Sequence, residues 1–136
     1  MRTALRYLLD TDICIYIANR RSTKILERLE QLAPGEVGMS VITYGELCYG
    51  ASKSLHRVKS LRVLHELREW IPVLPTDEKI GEHYGKIRGA LELKGQVIGN
   101  NDLWIAAHAL ALEVTLVSNN TREFKRVPGL VSENWT

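Results

Sequence analysis

Short apolar runs alternate with longer amphipathic stretches along this chain. Apolar runs of strand length occupy residues 5–10, 37–42, 114–117 and 130–132. They are apolar on both faces, which is typical of parallel strands covered by helices. A fifth run, at 71–75, contains two prolines, and proline favours an edge strand because it cannot donate a ladder hydrogen bond. The pattern therefore predicts a mostly parallel sheet.

The stretches between the predicted strands have the periodicity of helices. Predicted helices cover residues 13–19, 23–32, 54–70, 77–94 and 102–112, and a further one begins at residue 44. Asp12, Ser22 and Asp77 stand where N-caps are expected. Strands that alternate with helices predict a three-layer α/β/α sandwich. The length of 136 residues suits a single domain, residues 1–136.

Composition narrows the class of protein. Hydrophobic residues make up 45% and charged residues 25% of the chain, as in ordinary soluble globular proteins. The chain contains neither an apolar run near the roughly 20 residues of a membrane-spanning helix nor a signal-peptide pattern, so a cytoplasmic protein is expected. Cys14 and Cys48 lack the spacing of a zinc site. A net charge of +2 is too small to indicate a nucleic-acid partner by itself.

Three acidic residues are predicted to meet at one edge of the sheet. Asp10 ends the first strand, Glu46 lies early in the helix after the second, and Asp102 opens the helix before the fourth. The carboxyl ends of parallel strands share one edge, where ligands bind in open sheets. The polar run at 118–120 follows the fourth strand at the same edge. The sequence predicts that these distant residues share one cleft.

Glu46, Asp102 and the neighbouring Asp12 also have simpler structural explanations. Thr43-x-x-Glu46 has the spacing of a capping box, the helix dipole favours Asp102 in a first turn, and Asp12 suits an N-cap. Asp10 is harder to explain, because it ends an apolar run and Asp12 already serves the next helix. Clustered carboxylates would repel one another, and a hard ion such as Mg²⁺ would remove that repulsion.

Four segments of the chain resemble the PIN-domain ribonucleases, and within them the VapC-type toxins of bacterial type II toxin–antitoxin pairs. They are LLDTDICIYI at 8–17, TYGELCYGA at 43–51, IGNNDLWIAAHA at 98–109 and SNNTREFKRVPGL at 118–130. The resemblance implies an endoribonuclease that depends on Mg²⁺, with Mn²⁺ as a substitute, and that inhibits translation. The family's catalytic and metal-binding acids map onto Asp10, Glu46 and Asp102. The residues beside them would be Asp12, Ser118, Asn119 and Asn120.

The resemblance also implies partners. A VapB-type antitoxin would lie along a hydrophobic groove, and the toxin would form a homodimer or a larger toxin–antitoxin assembly. Transfer RNA is the expected substrate, with the anticodon loop of initiator tRNA as the leading candidate. Basic residues at two places could hold its phosphates: Arg20, Arg21, Lys24, Arg122, Lys125 and Arg126. Because the family's fourth acid is replaced by Asn119 and Asn120, the number of metal ions stays open.

Two alternatives compete with a nuclease. In a haloacid-dehalogenase-like phosphatase, Asp10 would be the nucleophile and Asp12 the acid, and a beryllium fluoride complex at Asp10 would reveal it. A domain that only binds RNA or protein would use the same acids as caps or docking residues. Cleavage of labelled RNA that EDTA abolishes would exclude that second alternative.

Overall fold

A five-stranded parallel sheet forms the centre of the computed structural model, which describes residues 4–136. The strands are β1 (Tyr7–Leu9), β2 (Val37–Ser40), β3 (Val73–Leu74), β4 (Thr115–Val117) and β5 (Ser132–Glu133). Their order is β3-β2-β1-β4-β5, and every pairing is parallel. Strand β3, which Pro72 and Pro75 flank, lies at an edge, which confirms the sequence prediction.

Seven helices surround the sheet within the described residues. They are α1 (Thr11–Ala18), α2 (Thr23–Glu30), α3 (Val41–Ser52), α4 (Arg57–Trp70), α5 (Glu78–Leu93), α6 (Asn100–Leu112) and α7 (Thr121–Phe124). The hydroxyl of Ser22 accepts from the Ile25 amide, and the carboxylate of Asp77 accepts from the Lys79 amide. Both residues are therefore the N-caps that the sequence predicts.

Alternate side chains of β1 face two separate cores. Tyr7 and Leu9 pack with α1, α2 and α4 on one side of the sheet. Leu8 packs with Leu116 of β4 and with α5 and α6 on the other side. The three-layer α/β/α prediction is confirmed. None of the helices in residues 4–136 is both long enough and apolar enough to cross a membrane.

Two predicted caps are wrong, because the first two strands pass into their helices without a loop. Asp10, and not Asp12, is the N-cap of α1, and its side chain accepts from the Thr11 amide. Ser40 is the N-cap of α3 and accepts from the Ile42 amide. Thr43 and Glu46 are therefore inside α3, Glu46 in its second turn, and do not form a capping box. The simplest structural explanation for Glu46, a capping box, is thereby removed.

Candidate active site at the carboxyl edge of the sheet

The strand order creates a crevice between the carboxyl ends of β1 and β4. From β1 the chain proceeds to β2 and β3 on one side, and it returns to place β4 on the other side. Ligands bind at such switch points in open α/β sheets. Asp10 directly follows β1 and Ser118 directly follows β4, so both lie in the crevice.

Asp10 is buried and is held from both sides. Its Oδ1 accepts from the Thr11 amide at 2.8 Å, and its Oδ2 accepts from the Ser118 hydroxyl at 2.7 Å. Burial is the main reason why the pKa of Asp10 is raised to about 7, and the charges of Asp12 and Asp102 raise it further. The carboxylate is thus rigidly oriented, desolvated and close to other acids.

Asp102, in the first turn of α6, is the second perturbed acid. Burial raises its pKa to about 6, and the charges of Glu123, Glu46 and Asp12 add to that rise. Asp102 also contributes to the raised pKa of Asp10. Asp102 therefore lies within electrostatic range of Asp10 and of Glu46.

Glu46 is held at the edge of this group by a threonine. The Thr11 hydroxyl donates to Glu46 Oε1 at 2.6 Å, and it lies 3.2 Å from the hydroxyl of the buried Thr43. This bond connects the first turn of α1 to the second turn of α3. It fixes the direction in which the Glu46 carboxylate points.

Asp12 is not the cap of α1, but it stabilises the crevice through two hydrogen bonds. Its Oδ1 accepts from the Ile13 amide at 2.7 Å, and its Oδ2 accepts from the Asn119 amide at 3.0 Å. Burial raises its pKa despite these bonds. Asp12 therefore joins α1 to the segment after β4 and adds negative charge near Asp10 and Asp102.

The asparagines after β4 differ in role. The Asn119 side chain bonds to Asn134 and Thr136 near the end of the chain. The Asn120 amide donates to Ser118 Oγ at 2.9 Å, so it supports the serine that holds Asp10. Its side-chain nitrogen donates to Glu123 Oε2 at 2.9 Å.

Glu123 is a candidate site residue that the sequence reasoning missed. It lies in α7, a four-residue helix that was not predicted, and its charge is the strongest that acts on Asp102. The negative charge that Asn119 and Asn120 do not supply is therefore supplied three residues further on. The sequence signal for Glu123 is the TREF segment at 121–124. Its single helical turn places Glu123 back at the edge of the sheet.

The predicted basic residues divide into two groups. Arg122 lies in α7 beside the acids, and Lys125 and Arg126 follow it directly. Arg20 and Arg21 follow the far end of α1, which spans eight residues or about 12 Å. Lys24, on α2, borders a separate cleft with Arg28 and Trp135. Only the first group is near the acidic crevice by chain position.

The donor set fits a hard divalent cation. Carboxylate oxygens are the ligands that Mg²⁺ prefers, and the mutual repulsion of Asp10 and Asp102 is one that a cation would relieve. Within residues 4–136, no three His, Cys, Asp or Glu side chains already surround one ion position. Mg²⁺ usually retains several waters and binds through one or two carboxylates, so a cluster of three is not required for it.

Comparison with known proteins identifies the family. Residues 7–130 match the family model of the PIN domain. Ribonuclease VapC1 of Haemophilus influenzae strain R2866 is 45% identical over 96% of this chain and 98% of its own length. The tRNA(fMet)-specific endonuclease VapC of Shigella flexneri is 39% identical over 97% of this chain and 99% of its own length.

A solved structure agrees with these relatives over the whole fold. The crystal structure of VapBC2 from Rickettsia felis, bound to a DNA fragment from its promoter, contains a chain with a TM-score of 0.91. That chain is 41% identical, and the match covers 97% of this chain and 100% of the other. The phosphatase alternative is set aside, because this chain belongs to the PIN-domain family, among the VapC ribonucleases.

Proposed function

We propose that this protein is a divalent-metal-dependent endoribonuclease that uses Mg²⁺, with Mn²⁺ as a substitute. The observation that carries the proposal is the pair of perturbed acids, Asp10 and Asp102, at the switch point of the sheet. Their pKa values of about 7 and about 6 reflect burial first and repulsion by neighbouring acids second. Strongly perturbed carboxyl groups in a crevice are typical of functional sites.

The roles of the acids follow from how each is held. Asp10 and Asp102 would bind the ion directly, and Glu46, which Thr11 restrains, would bind through water or orient the attacking water. A bound divalent ion lowers the pKa of water and stabilises negative charge on a phosphate. Ser118 and the Thr11 amide keep Asp10 in place without rearrangement. Glu123 would extend the acidic group toward a further ion or water.

The RNA would lie across the edge of the sheet beside α7. Arg122, Lys125 and Arg126 are the phosphate contacts that this placement favours, because they follow the acidic crevice along the chain. Arg20, Arg21 and Lys24 would meet the RNA only further along its backbone. Contacts of this kind add salt-dependent affinity without reading sequence.

Initiator tRNA is the proposed substrate. Relatives from Shigella flexneri and Salmonella typhimurium, 39% and 38% identical, are named tRNA(fMet)-specific endonucleases. Cleavage of the anticodon loop would inhibit translation in the cytoplasm. Residues 1–136 would carry out this activity as a single domain.

A VapB-type antitoxin is the proposed protein partner, in a dimeric or larger assembly. Solved relatives from Rickettsia felis and Haemophilus influenzae are VapBC complexes. A groove of about 280 Å³ runs between α1, α2 and α4. Apolar side chains line it together with Arg20, Glu30 and Glu66. Such a groove suits an amphipathic segment of the antitoxin.

The test is cleavage of a labelled initiator-tRNA anticodon stem–loop in buffer of controlled Mg²⁺ concentration. Asp10→Asn and Asp102→Asn should each reduce the rate about 10²-fold or more, because each removes a charged ligand. EDTA should abolish cleavage. Glu82→Gln, which neutralises an exposed acid on α5, is the control and should retain full activity.

Full cleavage by Asp10→Asn, or by the unaltered protein in EDTA, would exclude the proposed chemistry. Binding of the RNA without any metal-dependent cleavage would favour the alternative of a binding domain.

A further inference from the structure

A second cavity lies beside the acidic crevice, on the β3 side of the sheet. Its volume is about 320 Å³, at the lower end of the size range of small-molecule sites. The residues that matter are Ser40, Thr76, Ile80, Gly81, Trp104 and His108. Ser40 ends β2, Thr76 follows β3, and both therefore belong to the same carboxyl edge as Asp10. Helix α6 supplies Trp104 and His108 as well as Asp102.

The indole that borders the cavity is fixed in place before any ligand arrives. Trp104 stacks on Tyr84 with ring centroids 3.7 Å apart and an interplanar angle of 10°. The Tyr84 hydroxyl is held in turn by Arg88 at 2.7 Å and donates to Asn100. One face of the indole is thus occupied within the protein, and the rest of Trp104 contributes to the cavity wall. A rigid aromatic wall binds a flat ring at low entropic cost.

A buried histidine lies behind the wall of the cavity. His108 is fully buried, and its Nδ1 lies 2.8 Å from Ser40 Oγ. Its Nε2 makes no hydrogen bond of good geometry within residues 4–136, although the backbone of Pro75 also acts on the ring. The ring is fully covered, so His108 lies behind the wall of the cavity and is not itself exposed to a ligand. Burial lowers the pKa of His108, which favours the neutral ring with one donor and one acceptor nitrogen.

The charges at the cavity disfavour a phosphate as its ligand. Asp77 and Glu78 both contribute to the lining and are exposed. Their carboxylates would repel an anion, whereas they can accept from the N–H groups of a base edge. Apolar contacts from Val41, Ile42 and Ile80 suit the faces of the same ring.

We propose that this cavity binds one unpaired nucleobase of the RNA, on the strand that crosses the acidic crevice, and so contributes to the choice of cleavage site. This proposal rests on the ribonuclease function proposed above. The base would pack against Trp104 and present its N–H groups to Asp77 or Glu78. An antitoxin would use the groove on the opposite side of the sheet, which leaves this cavity to the RNA.

A pair of glycines on α5 allows a matched test. Gly81 lines the cavity, and an added Cβ would meet nothing within 4 Å. Gly81→Phe should therefore fold and place a ring in the cavity. Gly85, one turn further along the same helix, is also exposed, and an added Cβ there also meets nothing within 4 Å, but it does not line the cavity. Gly85→Phe is the control for the change in helix propensity and surface hydrophobicity.

Binding is measured with a set of anticodon stem–loops in which each unpaired nucleotide in turn is abasic. The protein carries Asp10→Asn, so that affinity is read without cleavage. One abasic position should weaken binding at least about 5-fold, the smallest effect expected for a lost base–aromatic stack. In Gly81→Phe the intact RNA should bind equally weakly, and the same abasic position should cause no further loss. Gly85→Phe should keep the full dependence on that base.

The proposal is overturned if Gly81→Phe and Gly85→Phe bind every RNA alike. It is also overturned if Gly81→Phe leaves RNA binding unchanged and instead alters the oligomeric state or antitoxin affinity, which would make the cavity a protein contact. Failure of the nuclease function gives a different result: the protein without the Asp10 change would not cleave the RNA, while base-dependent binding at the cavity would persist.

Discussion

At the scale of single residues, the positions of Asp10, Glu46 and Asp102 could be predicted from strand ends and helix starts. The second role of Asp10 could not, because a sequence does not show that one carboxylate oxygen caps α1 while the other accepts from Ser118. Glu123 was missed for a similar reason. Its proximity to Asp102 depends on a single turn, α7, which is too short to produce a periodic pattern.

The raised pKa of Asp10 predicts how stability depends on pH in the metal-free protein. The folded pKa of about 7 lies above that of an unfolded aspartate, so the folded state binds more protons between these values. The stabilisation that Asp10 contributes is present below pH ~4 and is lost as the pH rises through about 7. Asp10→Asn should therefore raise the free energy of unfolding at pH 8 by about 1–3 kcal/mol.

Urea denaturation in EDTA at pH 5 and pH 8 measures this effect. The gain from Asp10→Asn should be larger at pH 8 than at pH 5, and Glu82→Gln should show no such difference. An Asp10→Asn protein that loses stability as the pH rises, relative to the unaltered protein, would contradict the assignment of a raised pKa.

At the scale of elements, hydrophobic periodicity was sufficient for the strands and the longer helices. The boundaries at Asp10 and Ser40 were misjudged, because a strand that passes straight into a helix leaves two polar residues competing for one cap. The local polar pattern favoured Asp12 and Thr43, whereas the end of the strand ladder determines that Asp10 and Ser40 are the caps. Short turns such as α7 are decided by tertiary contacts.

Gly38 predicts a packing effect within the sheet. It lies in β2 between β1 and β3, and an added Cβ would lie 2.7 Å from the Leu74 Cδ1 atom. Gly38→Ala should reduce the free energy of unfolding by about 1–3 kcal/mol through overpacking. Gly50→Ala in α3 is the control, since an added Cβ there meets nothing within 4 Å, and it should stabilise by up to about 1 kcal/mol. Equal stability of the two variants, measured by urea denaturation, would refute the predicted clash.

At the scale of the whole molecule, a parallel sheet between two helical layers was predictable, but its strand order was not. Order is fixed by which helix covers which face, as in the two cores that contain Leu8 and Leu9 separately. The strand order also determines how the acidic crevice and the groove between α1, α2 and α4 are separated. The acidic crevice lies at one edge of the sheet, and the groove between α1, α2 and α4 lies on one face.

The groove predicts that a substitution within it weakens antitoxin binding, whereas a substitution outside it does not. Trp70 lines the groove at the end of α4 and is 63% exposed. Trp70→Ala should weaken antitoxin binding about 30-fold, which corresponds to a loss of about 2 kcal/mol. Val58→Ala is the control, because Val58 is 73% exposed on the same helix but outside the groove.

Isothermal titration with the cognate antitoxin measures both variants. RNA cleavage by the free protein should be the same in Trp70→Ala as in the unaltered protein. Antitoxin affinity that is equal in Trp70→Ala and Val58→Ala would place the antitoxin elsewhere.

Helix α6 is one stiff rod, buried at Leu103 and at 105–109, with an acid of the crevice near its start and Trp104 and His108 further along. Any displacement of this rod moves the chemistry and the cavity together, since packed interiors shift as units and do not deform locally. A relative that acquires a different RNA target would therefore be expected to change the walls contributed by α3 and α5 and to leave α6 intact. Selectivity for RNA could then change during evolution while the geometry of the cleavage site stays constant.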